Sequence, residues 1–183
     1  MPYAVELYLD ANTEGIIRGI WRALADAGIS ESMLGEGFYP HITLGMANQV
    51  DSAGLWPELS AMARQTCPLP ITLSHFGVFP NAAGVVFLGA TLTRPLLDIH
   101  DAFTQLFERY AQEPWGYYQP GSWVPHCTVA HDLTSSGVSQ AISVCMQVQL
   151  PILAQVEGLG VTEMMPDQAR TIYMHRLDSG EEA

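Results

Sequence analysis

Two short stretches carry the residue types that acid–base chemistry needs. Pro40-His41-Ile42-Thr43-Leu44 and Pro125-His126-Cys127-Thr128-Val129 repeat one pattern: proline, histidine, apolar, threonine, apolar. Their histidines stand 85 positions apart. Side chains of an extended strand alternate between its faces. His41 and Thr43 therefore project to one side while Ile42 and Leu44 face a core. His126 and Thr128 do the same, with Cys127 and Val129 behind them. An imidazole has an unperturbed pKa of about 6.5, so one ring of a pair can accept a proton while the other donates. A threonine hydroxyl can donate to a non-bridging phosphoryl oxygen and stabilise charge that grows there. Two imidazoles and two hydroxyls converging on one spot suit a phosphodiester, and that chemistry calls for no metal and no cofactor.

The elements that must hold these stretches read in the same order twice. Tyr3–Asp10 alternates as a strand. Asn12 and Thr13 offer an N-cap, and Ile17, Ile20, Trp21 and Leu24 recur at helical spacing until Gly28. The segment Pro40–Ala47 follows. Asp51–Thr66 carries Leu59, Met62 and Ala63 on one helical stripe and accommodates Pro57 in its first turn. Leu69–Pro80 is a second apolar strand, and Asn81–Gly84 a turn. The second pass opens with a strand at Val85–Thr93. A helix begins at Pro95, with Leu96, Ile99, Phe103, Leu106, Phe107 and Tyr110 on its buried stripe. A Pro/Gly-rich loop, Pro114–Gly121, leads to Trp123–Ala130. Ser135 or Ser136 caps a helix that turns Val138, Ile142 and Cys145 inward, and Pro151–Val161 and Thr171–Leu177 close as strands. The expected class is α+β: one bilobal domain over 1–183, built from halves at about 1–80 and 84–178. A pseudo-twofold would set two antiparallel-rich sheets across a central groove, with helices outside.

Composition narrows the ligand. Of 183 residues 48% are hydrophobic and 14% charged, which excludes a disordered chain. Seven arginines and no lysine stand against 19 acidic residues, a net charge of −12. Long nucleic acid is disfavoured, because its affinity comes largely from cationic side chains that displace counterions. A small nucleotide or a short RNA end held in a local pocket is not. No apolar run approaches the roughly 20 residues of a membrane span, and no basic segment precedes an apolar one at the start. A cytoplasmic protein without a membrane partner is expected. Cys67, Cys127 and Cys145 form no CxxC pair, so neither a disulfide framework nor a zinc ribbon is indicated.

The paired His-x-Thr-x tetrads resemble those of the 2H phosphoesterase superfamily, the group of the bacterial 2′-5′ RNA ligase-like proteins and the 2′,3′-cyclic nucleotide phosphodiesterases. The similarity extends over essentially the whole chain. It implies a bilobal, metal-independent enzyme with His41 and His126 as the catalytic pair and Thr43 and Thr128 as the phosphate-binding hydroxyls. Ligase-like members usually carry an arginine shortly after the second tetrad, where this chain reads Ala130-His131-Asp132. His131 thus becomes a candidate substrate ligand, although strand parity sends it to the face opposite His126 unless the strand ends or bulges first.

Tyr39 shares the parity of His41 and is a candidate platform for a base, as are Phe76 and Trp123. His75, His100 and His175 read as structural or surface residues, and Arg170 and Arg176 as surface ion-pair partners. A zinc site made of His126, Cys127 and His131 is opposed by alternation, which separates the first two. The expected activity is hydrolysis of 2′,3′-cyclic phosphates, or of related cyclic or 2′-5′ phosphodiesters, of small nucleotides. The alternatives are RNA-end processing of the ligase-like kind, or a module that binds nucleotides or RNA ends without turnover. Which histidine is the base stays open, because pseudo-symmetry makes the two nearly equivalent.

Overall fold

A computed structural model describes residues 1–81, 83–165 and 168–178. The elements are β1 (Tyr3–Leu9), α1 (Ala11–Asp26), α2 (Ser32–Gly35), β2 (His41–Val50), α3 (Ser52–Gln65), β3 (Leu69–Phe79) and β4 (Val85–Ala90). They continue as α4 (Arg94–Phe107), β5 (Ala111–Pro114), a 3-10 turn (Gly116–Tyr118), β6 (His126–Ala130), α5 (Ser135–Cys145), β7 (Ile152–Met165) and β8 (Gln168–Arg176). The turn expected at Asn81–Gly84 contains Ala82, which lies outside the described residues. Among the described residues no helix is long and apolar enough to cross a membrane.

The helix starts have local causes. The Asp10 carboxylate accepts the backbone N–H of Thr13 at 3.0 Å and its hydroxyl at 2.7 Å, so α1 is capped by Asp10 rather than by Asn12 or Thr13. Thr134, not Ser135 or Ser136, caps α5 by accepting from Gly137 N at 3.2 Å. Pro57 lies inside α3 rather than in its first turn, and the helix tolerates the missing N–H. The stripes read from periodicity are buried: Ile17, Ile20, Trp21 and Leu24 on α1, and Leu96, Phe103, Leu106 and Phe107 on α4.

All strand pairings are antiparallel, and the strand order is β5-β2-β1-β7-β3-β4-β6 with β8 also on β7. The α+β class is as expected. The two sheets, however, are two arms of one ladder, joined at β7. That strand has 14 residues, enough to serve both arms: Ile152–Val156 pair with β3, while Gly158–Met165 pair with β8. The arms also differ from the sequence halves. β5, β8 and the end of β7 lie with β1 and β2, whereas β3 lies with β4 and β6. Helices mix in the same way, α1 packing on α5 and β6, and α4 on β2.

Register follows from burial. Ile42, Leu44 and Val129 are essentially inaccessible to water, and burying each such side chain stabilises the fold by roughly 1.5–3 kcal/mol. A one-residue slip would exchange them with His41, Thr43 and Thr128, so the polar faces of β2 and β6 are held toward the groove.

Candidate active site

His41 and His126 are anchored alike. Nδ1 of His41 lies 2.6 Å from the carbonyl oxygen of Tyr39, and Nδ1 of His126 lies 2.6 Å from that of Val124. In each case the acceptor is two residues upstream, across the proline that opens the tetrad. A carbonyl only accepts, so Nδ1 carries the proton in both rings and Nε2 is left for other chemistry. Both rings, with Thr43 and Thr128, line one cavity of about 120 Å³. Beside it lies a cavity of about 390 Å³ that shares His126, Thr128, Tyr118 and His131 and is walled by Phe79, Trp115 and Tyr117. A larger hollow of about 650 Å³ between α3 and α4 contains Cys67 and Arg109 but none of the tetrad residues. The titratable and hydroxyl groups of the tetrads, not cavity size, locate the site.

Each tetrad is braced by an indole from the other sequence half. Trp21 Nε1 donates to the backbone carbonyl of Thr128 at 3.2 Å, and Trp123 Nε1 donates to that of Thr43 at 2.9 Å. His100 stacks on Trp123, with ring centroids 3.9 Å apart and planes within 3°, and its Nε2 lies 2.9 Å from the Tyr118 carbonyl. The Tyr118 hydroxyl meets the Thr43 hydroxyl, and burial, helped by the charge of Glu6, pushes Tyr118 up to about 12. It stays a neutral phenol.

Burial holds both His126 and His100 below the ordinary imidazole range; the charge of His41 adds to the effect on His126. The sign for stability follows. Below pH about 6.5 the unfolded chain binds protons at these positions that the folded chain refuses. Melting temperature is therefore expected to fall between pH 7.5 and 5.5, and less steeply in His100→Gln. An equal slope in that variant would remove His100 from the account.

The site is not symmetric at its edges. Oε1 of the buried Glu6 lies 3.4 Å from Nε2 of His41. His126 instead sits against Phe79 and Phe87, with centroids 4.9 and 5.0 Å away. Glu6 was not singled out in the sequence, yet a signal was there: an acid within an otherwise apolar strand.

His131 lines both cavities. The register between β4 and β6 shifts as Phe87 pairs with Thr128 and Val86 with Ala130, so Val129 is bulged and the alternation is reset before His131. Its Nδ1 lies 2.7 Å from Asp132 and its Nε2 3.5 Å from Glu36. The three proposed aromatic platforms are placed otherwise. Tyr39 is 44% exposed, with Arg18 over its ring, and serves His41 through its backbone. Phe76 packs against the core, and Trp123 is a buried brace. Neither Tyr39, Phe76 nor Trp123 lines the two cavities. The aromatic walls come from Phe79, Trp115 and Tyr117, the last two in a loop whose Pro and Gly content hid its path. His175 meets Ser60, whereas the ring of His75 lies over Gly89, the cross-strand partner of His126. Arg170 pairs with Glu163 and Arg176 with Glu157. Among the described residues no three His, Cys, Asp or Glu side chains gather as a metal site would require.

An antiparallel α+β fold with two His-x-Thr strands facing one cavity is the architecture of a two-histidine phosphoesterase. The family profile of the 2′-5′ RNA ligase superfamily matches residues 36–165, both tetrads included, and the chain belongs to that superfamily. Its fold is shared with Escherichia coli LigT in complex with 3′-AMP, at 18% identity and a TM-score of 0.61, over 96% of this chain and 97% of that one. It is shared also with TT0787 of Thermus thermophilus, at 17% identity and a TM-score of 0.58, over 99% and 100% of the two chains. No curated protein matches the chain in sequence.

Proposed function

We propose that the protein hydrolyses 2′,3′-cyclic phosphates, or related cyclic or 2′-5′ phosphodiesters, of small nucleotides without a metal ion. The observation that carries this reading is the convergence of His41, His126, Thr43 and Thr128 on one small cavity, with Nδ1 of both rings engaged by backbone. One Nε2 takes a proton from water as its oxygen bonds to phosphorus. The other delivers a proton to the ribose oxygen as the P–O bond breaks. The threonine hydroxyls donate to the non-bridging oxygens, where negative charge accumulates. Phe79, Trp115 and Tyr117 provide apolar, aromatic walls of the kind a nucleoside packs against. Among the described residues no arginine lines either cavity, which suits a diester carrying a single negative charge.

The test is incubation with a panel of 2′,3′-cyclic nucleotides, followed by identification of the monophosphate released. Turnover is expected to survive EDTA; loss with EDTA and recovery with zinc or magnesium would overturn the mechanism. Retained binding of 3′-AMP, a ligand of LigT, without any product would point to a binding module instead. Substrate length supplies a further expectation. Phosphates outside the groove meet a surface of net charge −12, and a Debye length of about 8 Å in physiological salt damps that repulsion without abolishing it. kcat/KM is expected to fall from a cyclic mononucleotide to a ten-mer with a cyclic end, and added salt to narrow the gap. A ten-mer preference that weakens with salt would favour RNA-end processing.

A further inference from the structure

Glu6 is a buried charge that the chemistry above does not use. It is 2% exposed and sits on β1 directly across from Thr43 of β2, lining the tetrad cavity. Its Oε2 accepts the Tyr8 hydroxyl at 2.8 Å and the Thr162 hydroxyl at 2.7 Å. Its Oε1 faces Nε2 of His41. A carboxylate out of water is costly unless its oxygens find donors or a counter-charge. The two hydroxyls meet that need for Oε2. For Oε1 the donor at hand is His41, whose Nδ1 proton is already given to Tyr39. Nε2 of His41 satisfies Oε1 only when it too is protonated.

The other titratable groups around His41 do not compete for this role. Tyr8 is bonded to Glu6 itself, and burial and the Glu6 charge raise it out of reach of neutral pH. Tyr118 is a neutral phenol on Thr43. His131, with Glu36 and Asp132, stands beyond the ring of Phe38, which lies 5.8 Å from His41 and 6.4 Å from His131. His126 faces His41 across the cavity and has two phenyl rings where His41 has a carboxylate.

We propose that Glu6 is a positioning residue that gives the pseudo-symmetric site its direction. By keeping a proton on Nε2 of His41, it makes His41 the donor to the leaving ribose oxygen and leaves His126 to accept the proton of water. The direction rests on the phosphodiester reading; the hold of Glu6 on His41 does not. Burial, which keeps His126 neutral over a wider pH range, works in the same sense. After each turnover His126 carries the proton taken from water and His41 lacks one, and exchange with solvent restores both. The negative charge of Glu6 also disfavours the dianionic monoester product, which aids its release.

The test begins with the ligand-free protein, its histidines labelled with ¹⁵N, at pH 7. Ring signals are assigned by their loss in His41→Asn and His126→Asn. His41 is expected to show both nitrogens protonated, and His126 the neutral form with its proton on Nδ1. In Glu6→Gln, His41 is expected to become neutral while His126 keeps its form, and Glu6→Asp to restore part of the charged population. With a 2′,3′-cyclic nucleotide, the alkaline limb of the pH–rate profile is expected to move to lower pH in Glu6→Gln. The acid limb should stay in place. A neutral His41 in the wild-type protein, or an unchanged His41 charge in a folded Glu6→Gln, would overturn the proposal. Should Glu6→Gln not fold, the wild-type spectrum and Glu6→Asp decide. A wild-type protein that turns over no cyclic nucleotide would remove the phosphodiester reading and with it the assigned direction, while the spectra still decide whether Glu6 holds the proton on His41.

Discussion

His41→Ala and His126→Ala are each expected to lower kcat/KM for a 2′,3′-cyclic nucleotide by roughly 10²–10⁴-fold, the range of general acid–base catalysis. The double variant should lose far less than the product of the two factors, because proton acceptance and proton donation belong to one transition state. Stability should separate the two positions. The ring of His126 rests on Phe79 and Phe87 and is held through Nδ1 at the Val124 carbonyl. Its removal mainly costs packing. Removing His41 takes from the buried Glu6 the imidazole that its Oε1 faces, and loss of a partner by a buried polar group costs about 1–3 kcal/mol, more when charged. His41→Ala should therefore melt at the lower temperature. Normal turnover in both single variants would sink the two-histidine mechanism, whatever the melting curves show.

Thr43→Val and Thr128→Val should each slow turnover by roughly 10²–10³-fold, the effect of deleting one donor aimed at a developing oxyanion. Valine keeps the β-branched shape that suits a strand. The indole braces are untouched, since Trp21 and Trp123 bond the backbone carbonyls of these residues, not their hydroxyls. Thr128→Val should thus melt like the parent. Thr43→Val also removes the hydroxyl beside that of Tyr118, so a modest drop in melting temperature is expected there as well. Comparison of kcat with KM separates the roles: a fall in kcat alone marks contacts made in the transition state. Full activity with lost stability would make the threonines structural.

The parts of this protein legible from one sequence are those set by short-range periodicity. Alternation along Pro40–Leu44 and Pro125–Val129 buries Ile42, Leu44, Cys127 and Val129 and leaves the histidines and threonines on the other face, as observed. Helical stripes on α1 and α4 and the doubled order of elements are of the same kind. Local patterns carry this information because a strand or helix face is decided by neighbours two to four positions away. The chemistry of the tetrads could be read for the same reason.

Tertiary structure alone decided what depends on partners far away in the chain. β7 joins both arms because its two ends meet β3 and β8. His131 reaches the groove because a register shift against β4 resets alternation. Trp123 became a brace and Phe79 a wall, since a buried aromatic looks the same in sequence whichever neighbour it meets. Above all, the sequence presents the two histidines as equals. Their inequality comes from Glu6, 35 positions before His41 and on a different strand. Coulomb attraction strengthens as charges approach and as water is excluded, and only the folded chain brings a buried carboxylate to one imidazole and two phenyl rings to the other.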